Sequence, residues 1–262
     1  MKNVPIGFIG CGNMGGALVK GIAKNGVVYV YDADEAKAEA AAKAYGVTRA
    51  ASAPALAEQC AYIVAAVKPQ QLAELLTSVR GALADKVLIS IAAGYTLARL
   101  AELVPGARVI RVMPNTPAQV GAGAIAWTAA EDVRAEEKAA FENLFSACGL
   151  LFPLEEKLMD AFTALAGSGP AYVFMLINAL AEGGVREGLS KNDALRMTAQ
   201  TFLGSARMLL ELGEHPEVLK DRVTSPGGTT AAGLAALETG AVRSACIQAV
   251  AAARRRAEEL GK

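Results

Sequence analysis

The stretch Val4-Pro5-Ile6-Gly7-Phe8-Ile9-Gly10-Cys11-Gly12-Asn13-Met14-Gly15 decides the architecture. A short apolar run, Val4 to Ile9, has the length of a buried strand, and Met14 to Lys24 behind it reads as a helix. Between them Gly10, Gly12 and Gly15 fall at GxGxxG spacing. At a strand-to-helix corner the first glycine makes the tight turn and the second lets backbone approach a pyrophosphate. The third lets helix and strand pack closely, with the helix amides facing the anion. A tight turn without a ligand uses the same residues, so position carries the weight: this is the first such corner, and the next strand, Val28-Tyr29-Val30-Tyr31, ends in Asp32. The expectation is a dinucleotide site built from Gly10, Cys11, Gly12, Asn13, Met14, Gly15 and Asp32. A carboxylate at Asp32 accepts the adenosine ribose hydroxyls and repels a 2′-phosphate, which favours NADH, although Lys37 stands near enough to meet a phosphate. A plain strand-end turn is the alternative for Asp32.

From Val4 to Leu154 the same rhythm repeats. Strand-length apolar runs are expected at Val4 to Ile9, Val27 to Tyr31, Tyr62 to Val67, Val87 to Ile91, Arg108 to Met113, Ala124 to Trp127 and Leu150 to Phe152, with a weak one near Val47. Their continuous hydrophobicity predicts strands covered by helices on both faces, hence a doubly wound α/β sheet. After Glu155 the strand signal stops, and the rest reads as helices punctuated at Gly167 to Pro170, Gly188, Gly213 to Pro216, Ser225 to Gly228 and Gly240. Two domains are expected, a dinucleotide-binding one over 1–154 and an all-helical one over 155–262. Ser190 followed by Asp193 opens a helix that runs to about Leu212 in the manner of a capping box. Its stripe of Met197, Met208, Leu209 and Leu212 is read as core or subunit packing.

Bulk composition narrows the partners. The 26 basic and 26 acidic residues cancel, so no global field attracts a polyanion, and nucleic acid is not expected as a partner. Four scattered cysteines, Cys11, Cys60, Cys148 and Cys246, show no CxxC spacing, which fits a reducing cytoplasm and predicts neither a disulfide framework nor a metal site. The longest apolar stretch after the first strand, Ala171 to Ala181, contains Asn178 and is followed by Glu182, so no membrane segment is expected.

Ligands of open α/β sheets lie beyond the carboxyl ends of the strands, which nominates three further segments. In Val67-Lys68-Pro69 the proline holds Lys68 extended, and Lys68 is either a ligand contact or a solvated strand-end charge. Ala92-Ala93-Gly94 offers small residues that let backbone approach a flat ligand. Met113-Pro114-Asn115-Thr116-Pro117 cannot continue as helix or sheet and presents Asn115 as donor and acceptor, or serves only as a rigid turn. In the helical half, Gly167-Ser168-Gly169-Pro170-Ala171-Tyr172 and Val223-Thr224-Ser225-Pro226-Gly227-Gly228-Thr229-Thr230 place glycines and hydroxyls before helices, where they receive a carboxylate or simply cap the helix. His215, before Pro216, reads as a surface turn residue.

The string Leu219-Lys220-Asp221-Arg222-Val223-Thr224-Ser225-Pro226-Gly227-Gly228-Thr229-Thr230 resembles the signature of the pyrroline-5-carboxylate reductase family. The glycine corner, Ala66-Val67-Lys68-Pro69, Ala92-Ala93-Gly94, Met113 to Pro117 and Gly167 to Tyr172 are similar to that family in the same order. The resemblance implies a Rossmann domain followed by a helical, dimer-forming domain, so that each active site uses both chains of a homodimer or of an assembly of dimers. It also implies reduction of the cyclic imine 1-pyrroline-5-carboxylate to L-proline by NADPH or NADH. By the same resemblance Val223, Ser225, Gly228, Thr229 and Thr230 surround the substrate together with Ser168, Thr230 lies nearest the imine nitrogen, and Glu156 approaches the cofactor. One departure is Asp32, an acid where many members have none and use NADPH. The competing readings are a 3-hydroxyacid dehydrogenase, against which no lysine occupies the helix after Tyr172, and a dinucleotide-binding sensor without chemistry.

Overall fold

The computed structural model describes residues 4–260. Its first part is a sheet of β1 (Ile6–Ile9), β2 (Val28–Tyr31), β3 (Thr48–Arg49), β4 (Tyr62–Ala65), β5 (Val87–Ser90), β6 (Arg108–Met113), β7 (Gly123–Ala129) and β8 (Gly149–Pro153), in spatial order β3-β2-β1-β4-β5-β6-β7-β8. Strands β1 to β6 are parallel, β7 runs antiparallel to β6, and β8 is parallel to β7. Helices α1 (Asn13–Ile22), α2 (Glu35–Tyr45), α3 (Ala53–Gln59), α4 (Pro69–Val79), α5 (Leu97–Leu103) and α6 (Ala135–Phe145) join them. One apolar layer gathers Phe8, Leu18, Val30, Val64 and Phe141, and the other gathers Ile9, Leu56, Ile63, Leu72 and Leu88. Neighbours along a strand, such as Phe8 and Ile9, thus enter opposite layers, which is why β1, β4 and β5 carry no charged residue. Strand order reverses between β1 and β4, the place where a doubly wound sheet opens a ligand crevice.

Strands occur at every expected run, with ends shifted by a residue or two: the expected Val4 to Ile9 begins at Ile6, after Pro5, which has no N–H to give a ladder. The weak signal near Val47 is β3.

The later part contains α7 (Met159–Phe162), α8 (Gly169–Arg186), α9 (Lys191–Leu212), α10 (Pro216–Arg222), α11 (Thr229–Thr239) and α12 (Val242–Leu260). Ser190 caps α9, its hydroxyl accepting from the Asp193 amide at 3.2 Å and donating to the Asp193 carboxylate at 2.8 Å. The expected punctuation at Gly167 to Pro170 is found within the helical stretch 156–186: a π turn over Thr163–Gly167 ends there, Ser168 is a bend, and α8 begins at Gly169 with Pro170 in its first turn. The π turn is closed by the Ser168 amide, bonded to Thr163 O at 2.8 Å. Pro170 has no N–H for the carbonyl of Ala166, and Asn115 Nδ2 donates to that carbonyl at 3.0 Å instead.

Two compact units are formed, residues 4–168 with 253–260, and Gly169–Ala252. That division falls later than Leu154, where the strand pattern stops in the sequence. Within Gly169–Ala252 only Ala181 and Ala194 are buried, while Phe174, Met175, Leu203 and Leu210 are largely exposed, Leu210 at 69%. A helical unit with so little core requires a cover for its apolar face. The most apolar eighteen-residue window of the 156–186 run has a mean hydropathy of 1.4 and is 11% buried, so this run is long and apolar enough to cross a membrane, unlike the shorter stretch read from sequence.

At the amino edge of the sheet, Glu137 is buried against two arginines. Its carboxylate accepts from Arg108 Nε at 2.9 and 3.0 Å and from the amide of Arg134 at 3.0 Å. Burial pushes its pKa up, but hydrogen bonds from Arg134 and Arg108 outweigh this and hold it at about 2, against an ordinary 4.5. A depressed carboxyl pKa stabilises the fold above the unfolded value and loses that contribution as pH falls through the folded one. Glu137→Gln is therefore expected to cost about 2 kcal/mol at pH 7, a fall in Tm of roughly 5 °C, with the deficit shrinking from pH 4.5 toward pH 2. Melting curves across that window test it, and a deficit independent of pH excludes the charged pairing as its source.

Candidate active site

The glycine corner follows β1. Gly10 has φ +108°, and a Cβ there would lie 2.4 Å from the Ala66 carbonyl oxygen, so only glycine permits the β1 and β4 ends to approach this closely. A Cβ on Gly15 would lie 2.1 Å from Gly10 O, whereas one on Gly12 would meet nothing within 4 Å. Gly12 is the N-cap of α1 and supplies no side-chain cap, which leaves the first-turn amides without a side-chain acceptor. Closely packed corner, open second glycine and uncapped helix end together fit a dinucleotide pyrophosphate.

Asp32 is tied to this corner. Its Oδ2 accepts from the Cys11 amide at 2.6 Å and its Oδ1 from the Asp34 amide at 2.9 Å, which fixes the carboxylate while each oxygen keeps a lone pair. The Cys11 thiol is pushed up to about 11, first by burial and then by the charge of Asp32, so it remains a neutral thiol. A cavity of about 510 Å³ beside the corner is lined by Cys11, Gly12, Asn13, Lys20, Lys37 and Val120, among others. Lys37 is paired with Asp34 at 3.1 Å and Lys20 donates to Gln119 O at 3.1 Å, so both cations are held at this cavity. Val67 and Lys68 follow β4, where Lys68 is the exposed N-cap residue of α4 and Pro69 its first residue.

A second cavity, of about 220 Å³, lies at the carboxyl ends of β5 and β6. Ala92, Ala93, Gly94, Arg111, Asp160 and Ser168 line it, together with Arg256 and Leu260 from the end of α12. Ala92, Ala93, Gly94 and Ser168 are thus brought together. Asn115 has a bracing role in the structure, since its Oδ1 accepts from the Ala124 amide at 2.9 Å and its Nδ2 serves the Ala166 carbonyl. Glu156 Oε1 accepts from Arg111 at 3.0 Å and from the Leu97 amide at 2.7 Å. Arg111 was absent from the expected site residues. The available signal was a charged residue inside the apolar run Arg108-Val109-Ile110-Arg111-Val112-Met113.

The loop from Val223 to Thr230 lies in the helical unit, between α10 and α11. Pro226 followed by Gly227 at φ +68°, with the Gly228 amide bonded to Ser225 O at 3.0 Å, forms a tight turn. A Cβ on Gly228 would strike Ser225 Oγ at 2.3 Å. Gly228 caps α11 without a side chain, and the hydroxyls of Ser225, Thr229 and Thr230 enter no hydrogen bond among the described residues. His215 caps α10 through Nδ1, consistent with a turn residue.

A family model described as pyrroline-5-carboxylate reductase dimerisation matches residues 156–260, and one described as NADP oxidoreductase coenzyme F420-dependent matches residues 5–94. The chain is 40% identical over 269 residues to pyrroline-5-carboxylate reductase of Methanosarcina acetivorans, with 100% of both chains covered. This chain belongs to the pyrroline-5-carboxylate reductase family. The solved pyrroline-5-carboxylate reductase of Coxiella burnetii resembles this reductase at a TM-score of 0.92 and 36% identity, over 98% of each chain. That of Plasmodium falciparum, solved with NADP bound, resembles it at 0.89 and 35% identity, over 99% of this chain and 100% of the other. Matches of this extent set aside the hydroxyacid dehydrogenase and sensor readings.

Proposed function

We infer that the chain reduces the cyclic imine 1-pyrroline-5-carboxylate to L-proline with NADPH or NADH, the last step of proline biosynthesis. The observation that carries this is the signature run Leu219 to Thr230 in a chain alignable over its whole length with reductases of this name. The reduced nicotinamide, when bound, supplies the hydride. A protonated cyclic imine is already a hydride acceptor, so the protein's tasks are orientation and electrostatics. Gly10, Cys11, Gly12, Asn13, Met14 and Gly15 hold the pyrophosphate, and Asp32 faces the adenosine ribose. Val67, Lys68, Pro69, Ala92, Ala93 and Gly94 border the rest of the dinucleotide, and Asn115 and Glu156 brace those borders. The backbone of Gly228 and Thr229 and the hydroxyls of Ser225 and Thr230, beside Val223, take the imine and its carboxylate, and Ser168 contributes a further hydroxyl. Absorbance loss at the nicotinamide band on adding pyrroline-5-carboxylate tests this, and no oxidation of either cofactor rejects it.

The chain forms a homo-oligomer. A dimer is its minimum functional unit, the second copy covering the apolar face of the helical unit, and dimers are its building block in any larger assembly. The charged and amide groups Asn178, Glu182 and Arg186 on the long helical run favour a protein cover over lipid, and the balanced charge favours neither nucleic acid nor an acidic membrane. A cytoplasmic location follows from the same reading. Active monomers in sedimentation runs exclude the dimer.

Asp32 sets cofactor preference against Lys37. Asp32→Ser is expected to raise the NADPH to NADH ratio of kcat/KM about tenfold by removing a charge that repels a 2′-phosphate. The variant also loses the bond to the Cys11 amide, but this affects both cofactors alike and cancels in the ratio. An unchanged ratio means that Asp32 does not face the ribose.

A further inference from the structure

Arg111 occupies the middle of β6, opposite Ser90 of β5 and Thr128 of β7, and is 7% exposed. Its Nη1 donates to Glu156 Oε1 at 3.0 Å and its Nη2 lies 3.8 Å from Asp160 Oδ1. The same Glu156 oxygen accepts from the amide of Leu97, the first residue of α5, at 2.7 Å. The segment Ile91–Thr96 is therefore held at one end by β5 and at the other by a carboxylate that Arg111 anchors. Within this segment Gly94 turns the chain at φ +79°, and Ala92 to Gly94 line the 220 Å³ cavity in which Arg111 and Asp160 also appear.

Stability alone does not call for this arrangement, because a buried ion pair is commonly replaceable by apolar side chains of similar volume without loss. Its geometry does something an apolar contact does not: one charged oxygen fixes both a strand residue and the first amide of α5. We propose that Arg111 is a positioning residue for the reduction, acting through Glu156 to hold the Ala92–Gly94 wall where the nicotinamide half of the dinucleotide docks. This rests on the reductase reading above, and it moves Glu156 from direct contact with the cofactor to support of the loop. The glycine corner, beyond β4 in the sheet, is outside the reach of the pair.

The test compares Arg111→Met, Arg111→Lys and Glu156→Gln with the unaltered oligomer. Two binding probes are used, ADP-ribose, which engages the glycine corner alone, and the intact reduced dinucleotide. In Arg111→Met we expect ADP-ribose affinity within about twofold of the parent, intact dinucleotide binding weakened about tenfold, and kcat lowered at least tenfold, since small misplacements of a reacting group carry such losses. Arg111→Lys recovers part of kcat, because it keeps the charge but not the fork that reaches two carboxylates. Glu156→Gln keeps an oxygen for Leu97 but not the charge for Arg111, and lowers kcat roughly threefold to tenfold. Equal loss of both probes in Arg111→Met, or parental kcat there, overturns the proposal. Should Arg111→Met fail to fold, parental kcat in Glu156→Gln overturns it. If the parent protein turns over no imine, the reductase reading fails, while the contrast between the two probes still decides the positioning role.

Discussion

Gly15→Ala is expected to weaken dinucleotide binding at least a hundredfold and to lower stability by about 1 to 3 kcal/mol. The added methyl would stand 2.1 Å from the Gly10 carbonyl oxygen and 3.1 Å from the Ala66 Cβ. The first is a backbone atom in a turn that is itself confined, because Gly10 faces Ala66 O across the β1–β4 junction. Neither neighbour can rotate aside, so α1 moves outward by more than 1 Å, and its first-turn amides leave the positions at which a pyrophosphate is held. Gly12→Ala separates ligand approach from packing. No atom lies within 4 Å of the new methyl there, so the fold tolerates it and Tm stays near that of the parent, while the methyl occupies the open face that a phosphate approaches. Titration of NADPH into both variants beside thermal melts checks the pair. Parental affinity and Tm in Gly15→Ala would show that the helix does not rest on the turn, and parental affinity in Gly12→Ala would move the phosphate elsewhere.

The strand, turn and helix of this corner were legible in the sequence because its constraint is local: the three are consecutive, and Gly10 and Gly15 each have a steric reason within ten residues or at the neighbouring strand, while Gly12 faces open space. The strands were legible for a related reason. Burial on both faces makes β1, β4 and β5 runs of strand length without a charge, bounded by glycine, proline or lysine. The sense of β7 was not, since an antiparallel strand buried on both faces has the composition of a parallel one. The segment Gly167 to Pro170 was legible as a break between helices, but not the means by which the break is built. Glycine and proline mark the boundary, and what satisfies the backbone there, a π turn and the side chain of Asn115, lies respectively in backbone geometry and far back in the chain. Arg111 shows the same limit: its position in an apolar run was visible, but its partners Glu156 and Asp160 come from another element and only the folded chain brings them together.

Thr230→Val is expected to lower kcat/KM roughly tenfold to a hundredfold, the equivalent of about 1 to 3 kcal/mol for one hydrogen bond to a charged group. Thr230 is the second residue of α11, half-buried, and its hydroxyl enters no hydrogen bond among the described residues. A hydroxyl so placed and left without a protein partner is available to accept from an iminium N–H and to donate to the amine that forms. The acceptor carbon is activated by protonation of the imine itself, so losing the hydroxyl disturbs alignment and slows turnover without ending it. Dinucleotide affinity is expected to stay within about twofold, because the glycine corner belongs to the other compact unit. The competing account makes Thr230 a helix-packing residue. Valine keeps the shape and both branches of threonine, so that account expects unchanged kinetics in Thr230→Val and a lowered Tm in Thr230→Ala. Steady-state rates at saturating cofactor, read beside the melting temperatures of both variants, separate the two. A folded Thr230→Val enzyme with parental kcat/KM assigns the threonine to the packing of α11 and leaves Ser225 and Ser168 as the hydroxyls proposed for the substrate.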